Sequence, residues 1–371
     1  MAYLGTRRFC FSLLSAIGLT AFAVIEASSI SVMSYNVENL FDLENDPRVS
    51  DDEFTPDGDA EWTAEKLHQK LTNLSQVILA VKNEDGSRCP DVLGLVEIEN
   101  REILDHWRKN YLGQCRYRHL VINRHTEDEP VRDDRRGIKV ALLSKLKLAG
   151  QPAKYLAYEG GRYLLEVPLE LNGNRLVVLV NHWKSRIGGG EDRRALGAKV
   201  LRARFEEWNN LDPYADVVAM GDFNDEPEDD SMLKILGITD DLSFWDRDLT
   251  QAFIWNTSFE EFNLRQKLKE AQELIELGEP LKLEEVERYW RQKRGTYYFH
   301  RDSKFFQLDH LLVSRGLLDS RGFQYKAKSF RVIQPLGFTD QNGAPIPYKS
   351  SKNGAVGGAS DHFPIMIRLD Y

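Results

Sequence analysis

Polar residues that could carry out chemistry follow four short apolar runs in this sequence. The four junctions are Ile30–Tyr35 into Asn36-Val37-Glu38-Asn39, Val92–Val96 into Glu97, Leu176–Val180 into Asn181-His182, and Val217–Met220 into Gly221-Asp222-Phe223-Asn224. Carboxylate, amide and imidazole groups can bind a divalent cation, activate water or transfer a proton. One such junction carries little weight, because turns favour Asn and Asp. Four in one chain indicate that strand ends converge on a single polar site.

Further acidic and imidazole residues lie near the C-terminus. Asp309 stands at the start of an apolar run that ends at Ser314, and Asp361 and His362 come just before a last run, Ile365–Leu369. We therefore add Asp309, Asp361 and His362 to the candidate residues. Taken alone, each candidate also has a plain structural explanation, as a turn cap or a buried core histidine.

The elements that must position these residues can be predicted from the apolar pattern. Continuous aliphatic runs of this length predict strands that are buried on both faces. Apolar residues at helical spacing predict two helices, Thr63–Val81 and Arg193–Trp208, which would cover the outer faces of the sheets. Polar stretches predict exposed loops at Asp42–Asp59, Thr126–Arg136 and Gly188–Arg194.

One segment does not fit the alternation of strands and helices. Phe259–Arg294 is rich in Glu, Lys, Leu and Arg at helical spacing, and Gly278-Glu279-Pro280 divides it in two. We interpret it as a helical hairpin inserted between two strands rather than as a separate domain. The neighbouring Phe305-Phe306 pair is interpreted as core rather than as a stacking platform.

The motifs taken together resemble those of the endonuclease/exonuclease/phosphatase superfamily. The residues that carry the resemblance, in chain order, are Asn36-x-Glu38, Glu97, Asn181-His182, Gly221-Asp222-Phe223-Asn224, Asp309 and Ser360-Asp361-His362. The segments Tyr35–Asp42 and Arg136–Leu142 look most like secreted bacterial nuclease-like members. The resemblance implies one catalytic domain over residues 29–371. Its fold would be a four-layer α/β/β/α sandwich of the DNase I-like type, with the helical insertion at about 259–294.

The resemblance also implies a role for each candidate residue. The implied metal ligands are Asn36, Glu38, Glu97 and Asp361, the implied catalytic residues are His182, Asp222, Asn224, Asp309 and His362, and the implied substrate-binding residues are Arg136, Asn181 and Lys184. Asp222 would orient and deprotonate the attacking water, and Asn224 would donate a hydrogen bond to the phosphate. Asp309 would hold His362 in its productive tautomer. The implied cofactor is Mg²⁺, although Mn²⁺ or Ca²⁺ could use the same oxygen ligands.

The N-terminal segment predicts export from the cytoplasm. Arg7 and Arg8 precede an apolar stretch, and small residues follow it, which is the order found in a secretory signal peptide. We therefore predict a signal peptide over residues 1–28 and a secreted or periplasmic mature protein. In an oxidising compartment Cys89 and Cys115 could form a disulfide, but two buried thiols are equally compatible with the sequence.

Composition limits the substrate classes without selecting one. The chain has 49 basic and 58 acidic residues and a net charge of −9, which argues against a protein that coats nucleic acid through a basic surface. Local basic clusters could still bind phosphates; they are Arg132, Arg135, Arg136 and Lys139, and Lys184, Arg186, Arg193 and Arg194. We expect a monomeric nuclease that acts on DNA or RNA and has no stable membrane partner. A phospholipid (sphingomyelinase-type) or inositol-phosphate hydrolase is the alternative.

Overall fold

A computed structural model of the chain describes residues 28–123, 134–261, 263–291, 295–348, 350–351, 354–355 and 357–371. The strands are β1 (Ser29–Leu40), β2 (Val92–Ile98), β3 (His119–Ile122), β4 (Lys139–Ser144), β5 (Lys147–Leu148), β6 (Ala153–Leu156), β7 (Tyr163–Leu171), β8 (Asn174–His182), β9 (Val217–Asp222), β10 (Ile254–Asn256), β11 (Tyr297–Phe299), β12 (Lys304–Phe306), β13 (Asp309–Ser314), β14 (Gln324–Tyr325), β15 (Arg331–Val332), β16 (Ser350–Ser351), β17 (Gly354–Ala355) and β18 (Ile365–Asp370). The α-helices are α1 (Ala64–Leu79), α2 (Arg101–Asn110), α3 (Glu191–Leu211), α4 (Leu264–Glu276) and α5 (Leu283–Arg291). The predicted signal peptide lies outside the described residues except for Ser28.

Two large mixed sheets form the centre of the fold. The first has the strand order β14-β18-β1-β2-β4-β3, with β15 also paired to β18, and the second has the order β10-β13-β9-β8-β7-β5, with β6 also paired to β7. The sheets approach closely where Gly94 of β2 faces Met220 of β9. A Cβ atom added at Gly94 would lie 2.2 Å from the Met220 Sδ atom. A larger residue at this position would therefore force the Met220 side chain to move.

Helices cover the outer faces of both sheets, as the sequence predicts. Leu71 and Leu74 of α1 pack with Leu93 of β2 in one buried cluster, and Phe205 of α3 belongs to the cluster that contains the second sheet. The layers are thus helix, sheet, sheet and helix, which confirms the predicted four-layer α/β/β/α sandwich. Successive residues of a strand point to opposite faces, so one apolar face of each sheet packs against helices and the other against the opposite sheet.

The helix boundaries differ slightly from the prediction. The Thr63 side chain accepts a hydrogen bond from the Lys66 backbone N–H, so Thr63 caps α1 rather than belonging to it. α3 begins at Glu191, so the predicted loop Gly188–Arg194 is wrong in its second half. Within the segment interpreted as a helical hairpin, α4 and α5 lie between β10 and β11 in chain order. No helix among the described residues has the length and apolar character needed to span a membrane.

Cys89 and Cys115 form a disulfide, which decides between the two alternatives left by the sequence. Their Cα atoms are 5.5 Å apart. Both residues are buried in the cluster that lies between the first sheet and its helices.

A buried histidine in β13 should make the fold sensitive to acid. His310 is fully buried; its Nε2 lies 2.9 Å from the Asp225 carbonyl oxygen and its Nδ1 lies 3.0 Å from the Asn256 amide nitrogen. The Asn256 oxygen accepts hydrogen bonds from Ser258, which fixes the orientation of the amide. Only the neutral ring with its proton on Nε2 satisfies both contacts. Burial accordingly lowers the pKa of His310 to about 4.

We expect a loss of stability in acid that depends on His310. Because its folded pKa lies below its ordinary value, its contribution is complete above about pH 6.5 and is lost as the pH falls towards 4. The loss should be about 3 kcal/mol between pH 7 and pH 4. Urea unfolding of wild type and of His310→Gln at several pH values measures it. Parallel pH dependences in the two proteins would contradict the assignment.

Candidate active site

An open cleft of about 1070 Å³ lies at one end of the two sheets. β1 runs parallel to β2, and β8 runs parallel to β9, so residues at their carboxyl ends reach the same edge of their sheets. β18 and β13 run antiparallel to these strands and contribute residues from their amino ends. The predicted site residues that line the cleft are Glu38, Glu97, Arg136, His182, Lys184, Asp222, Asn224, Asp361 and His362. The sequence-predicted convergence therefore holds for nine of the twelve.

Irregular backbone near the ends of β1 and β2 sets the direction of two acidic side chains. The pairing register shifts near the ends of β1 and β2. Glu38 and Glu97 have φ angles of 53° and 68°, which residues other than glycine adopt rarely. The Glu97 carboxylate accepts the Asn39 backbone N–H at 2.9 Å, and the Glu38 carboxylate accepts the Tyr348 backbone N–H at 2.7 Å. Bulges of this kind redirect side chains beside active sites, and both carboxylates here face the cleft.

Asp222 is held by two asparagine side chains. The Asn224 backbone N–H donates to Asp222 Oδ1 at 2.8 Å, and the amide nitrogens of Asn224 and Asn36 donate to Oδ2 at 3.1 and 3.2 Å. The Asn36 amide oxygen accepts the Glu38 backbone N–H at 3.0 Å. Asn36 thus points its nitrogen, not its oxygen, towards the carboxylates. Burial raises the pKa of Asp222 to about 7.

Asp309 and His362 form a buried pair. The Asp309 Oδ2 atom lies 2.7 Å from His362 Nδ1, and His362 Nε2 faces Asp222 Oδ2 at 3.9 Å. Burial alone would lower the pKa of His362. The negative charges of Asp309, Asp361 and Asp222 outweigh burial and hold that pKa well above its usual range. His362 is therefore a charged imidazolium whose Nε2–H points into the cleft beside Asp222.

His182 has the opposite electrostatic setting. Its Nε2 lies 3.6 Å from Glu97 Oε1 and 3.7 Å from Asp222 Oδ2. Burial and the positive charge of Arg162 lower its pKa well below the usual range. The two histidines thus differ in charge, with His362 protonated and His182 neutral. Such a division between neighbouring titratable groups is typical of acid–base sites.

The acidic residues of the cleft suit a divalent cation. Burial and the charge of Asp361 raise the pKa of Glu38 to about 7, and burial and the charge of Glu97 raise the pKa of Asp361. A bound cation would relieve this repulsion. Among the described residues, the three side chains whose ligand atoms lie within 4.8 Å of one another are instead Asp222, Asp309 and His362. Because Asp309 and His362 are already paired with each other, these three residues fit proton transfer rather than metal binding. Mg²⁺ usually takes one or two carboxylates and keeps several waters, so Glu97 fits it as the main protein ligand.

Three predicted residues do not line the cleft. Asn36 and Asp309 lie behind Asp222 and His362 and contact them. Asn181 is buried; its amide donates to the Leu179 carbonyl at 3.2 Å and its oxygen accepts the Trp183 indole N–H at 3.4 Å. The structure therefore does not bring the Asn181 side chain to the position expected of a substrate-binding residue.

The structure adds residues to the cleft that sequence reasoning missed. Arg162 reaches it from the loop before β7, where it pairs with Asp134 at 2.8 Å and donates to the Trp183 carbonyl at 2.8 Å. The Tyr297 ring centroid lies 4.9 Å from that of His362. None of these residues follows a strand end in the sequence, so the junction pattern gave no signal for them.

The β11–β12 hairpin contradicts one sequence interpretation. Phe305 is buried, as expected of a core residue. Phe306 instead lines the cleft, where the Arg186 guanidinium carbon lies 5.5 Å from its ring centroid. Phe299 lines the cleft from the other strand of the hairpin. Successive residues of a strand point to opposite faces, so the Phe305-Phe306 pair divides between core and cleft.

Only some residues of the two predicted basic clusters reach the cleft. The members that line the cleft are Arg135, Arg136, Lys184, Arg186 and Arg193. Lys139 donates to the Glu99 and Gly137 carbonyls, and the buried Arg194 pairs with Asp225 at 2.6 Å. Both therefore serve the fold. Arg132 lies outside the described residues.

Comparisons with known proteins bear on this site. The model of the endonuclease/exonuclease/phosphatase family matches residues 31–257. No curated protein matches the chain. A crystal structure of humanized D. rerio TDP2 is similar over 93% of this chain and 100% of that chain, at 13% identity and a TM-score of 0.53. A structure of D. rerio TDP2 complexed with single strand DNA product is similar over 93% of this chain and 100% of that chain, at 13% identity and a TM-score of 0.51. A Bacteroides thetaiotaomicron mannosyl-6-phosphatase is similar over 92% of this chain and 100% of that chain, at 14% identity and a TM-score of 0.50.

Proposed function

Because this chain belongs to the endonuclease/exonuclease/phosphatase family, whose members hydrolyse phosphoric ester bonds, we propose that it is an exported, metal-dependent nuclease. The family is typically dependent on a divalent metal. We assign the ion as Mg²⁺, held chiefly by Glu97 with Glu38 and Asp361 nearby. When bound, the ion neutralises charge on the phosphate oxygens.

The observation that carries the choice of nucleic acid is the positively charged wall of the cleft. Arg136, Arg162, Lys184 and Arg193 lie on it, beside the residues that would perform hydrolysis. Burial and the charges of Arg162 and Arg193 lower the pKa of Lys184, which reflects this crowding of like charges. An extended anionic ligand would relieve it. Phosphate contacts from a few local cations support nonspecific nucleic-acid binding even in an acidic protein.

Aromatic side chains that line the cleft favour the same substrate. Phe299 and Phe306 face the cleft from the β11–β12 hairpin. Bases of single-stranded nucleic acid stack on such rings whatever their sequence. A similar structure, D. rerio TDP2, was crystallised with a single strand DNA product.

The proposed mechanism assigns one task to each side chain. Asp222 accepts the proton of the attacking water, because its pKa of about 7 lies near the operating pH of a general base. Asn36 and Asn224 hold its carboxylate in place. His362 donates a proton or hydrogen bond from Nε2 to the phosphate or the leaving oxygen, and Asp309 fixes its tautomer. The neutral His182 offers a second donor beside the phosphate.

Export is supported by two independent features. The signal-peptide pattern of residues 1–28 precedes the first strand, and the disulfide between Cys89 and Cys115 is typical of proteins in oxidising compartments. We propose a secreted or periplasmic monomer.

The proposed function is tested with the mature protein on supercoiled plasmid DNA and on single-stranded DNA and RNA, with Mg²⁺ and with EDTA. We expect cleavage of nucleic acid that EDTA abolishes. If the folded protein leaves all three intact with metal present but hydrolyses sphingomyelin, an inositol phosphate or a sugar phosphate, the reaction class stands and the nucleic-acid substrate is wrong.

Glu97→Gln should raise the Mg²⁺ concentration needed for half-maximal activity. The substitution keeps the size of the side chain and its contact with the Asn39 backbone N–H but removes the charge that would bind the ion. We expect an increase of about tenfold, which corresponds to about 1.4 kcal/mol of lost binding free energy, because the ion loses the charge of one oxygen ligand. A Mg²⁺ titration of activity measures it. An unchanged titration would remove Glu97 from the ligand set.

A further inference from the structure

A lysine lies buried behind the carboxylates of the cleft, and the mechanism does not use it. Lys70 of α1 is fully buried on the face that packs against the first sheet. Its Nζ atom donates to the Ala359 carbonyl at 3.3 Å and lies 5.1 Å from the centroid of the Tyr348 ring. Among the described residues it forms no ion pair at contact distance. A charge buried in this way is costly unless other charges compensate it.

The charges that act on Lys70 belong to the proposed metal site. Burial lowers the pKa of Lys70, and the negative charges of Glu38, Asp361 and Glu97 oppose that shift. Lys70 also contacts the segment that carries Asp361, because Ala359 lies two residues before it. The Tyr348 backbone, next to the ring that Lys70 faces, holds the Glu38 carboxylate. Lys70 therefore lies against the two segments that carry Asp361 and hold the Glu38 carboxylate.

From this arrangement we propose that Lys70 is a built-in cation of the metal site, which weakens and so sets the affinity of the site for a divalent ion. It is a positioning residue that acts through the carboxylates and does not contact substrate. Three carboxylates without a resident cation would attract a divalent ion very strongly. One fixed positive charge weakens the electrostatic attraction between the site and the ion, while all three carboxylates stay available as ligands. The inference rests on the proposed metal dependence, but not on the choice of nucleic acid as substrate.

A purely structural role for Lys70 predicts the opposite result. If Lys70 only anchors the segment before Asp361, its removal should loosen the site and weaken metal binding. Asn73, one turn further along α1, provides the matched control. Its amide donates to the Gly357 and Gly358 carbonyls at 3.1 and 2.8 Å, so it anchors the same segment without a charge.

The test is calorimetric titration of the metal-free protein with Mn²⁺, with no substrate present. We expect Lys70→Met and Lys70→Gln to bind Mn²⁺ about tenfold more tightly or better, because each removes a like charge beside the bound ion. Lys70→Gln keeps an amide donor for the Ala359 carbonyl and guards against a folding defect in Lys70→Met. Circular dichroism confirms that each variant is folded. Asn73→Leu should bind no more tightly than wild type.

Unchanged or weaker Mn²⁺ binding in both folded Lys70 variants would overturn the proposal. Tighter binding in Asn73→Leu as well would show that loss of an uncharged anchor has the same effect as loss of the Lys70 charge, and would also overturn it. The outcomes also separate the role of Lys70 from the proposed nuclease function. If the wild-type protein cleaves nucleic acid but the Lys70 variants bind Mn²⁺ with wild-type affinity, only the proposed role of Lys70 is wrong. Tighter Mn²⁺ binding in a protein that cleaves no nucleic acid leaves the inference standing and removes only the proposed substrate.

Discussion

Asp222→Asn is expected to lower the turnover number on single-stranded DNA by about 10²–10⁴-fold, the range that loss of a general base produces. The replacement has the same size but cannot accept the proton of the attacking water. The new amide could also place its N–H donors against the amide donors of Asn36 and Asn224. In the wild-type protein these two nitrogens lie 3.2 and 3.1 Å from the Asp222 Oδ2 atom. Single-turnover cleavage of a labelled oligonucleotide at saturating Mg²⁺ measures the loss.

Asp216→Asn is the matched control for this variant. Asp216 immediately precedes β9, the strand that ends at Asp222, and burial raises its pKa to about 7 as well. Its Oδ2 atom accepts the Phe323 backbone N–H at 2.9 Å, far from the cleft lining. The control should lose some stability and keep its activity. Full activity in a folded Asp222→Asn protein would remove Asp222 from the mechanism.

The sequence predicted the convergence of strand ends because that depends on simple features. Four apolar runs each ended in polar residues, and the structure has a strand at each of them. Parallel pairing of β1 with β2 and of β8 with β9 brings those ends together. The order of motifs along the chain then indicated the four-layer sandwich before any contact was known.

Side-chain direction was harder to predict than strand position. Asn181 and His182 are adjacent in β8, so their side chains point to opposite faces, and only His182 lines the cleft. The same alternation separates Phe305 from Phe306. Strand period could have excluded one residue of each pair, but it could not say which one. That choice depends on which face of the sheet meets the cleft.

The orientation of the acidic residues could not be predicted from the sequence at all. Glu38 and Glu97 face the cleft because the strand register shifts there and both residues have positive φ angles. Register shifts arise from pairing with distant strands and leave no local pattern in the residues themselves. Lys70 gives a contrasting case, since a lysine between Leu67 and Leu71 on the apolar face of α1 is visible in the sequence. Its meaning becomes apparent only when its neighbours are known.

His362→Ala should reduce turnover by a similar factor, about 10²–10⁴-fold, because it removes the charged donor of the cleft. Asp309→Asn tests how that donor is maintained. The Asp309 carboxylate lies 2.7 Å from His362 Nδ1 and is the foremost charge that raises the pKa of His362. Without it, the His362 pKa should fall. Activity that needs the protonated ring is lost as pH rises through that pKa, so the alkaline limb of the pH–rate profile should move to lower pH.

The double variant decides whether Asp309 acts only through His362. If it does, Asp309→Asn should cost little or nothing further in the His362→Ala background, because residues that act as one unit are not additive. A merely structural role for Asp309 would instead lower activity by the same factor in both backgrounds and leave the alkaline limb where it was. The measurement is turnover against pH for wild type, the two single variants and the double variant, with thermal unfolding of each as the check on folding. Additive losses with an unmoved profile would contradict the pairing of Asp309 and His362 as the proton-donating unit.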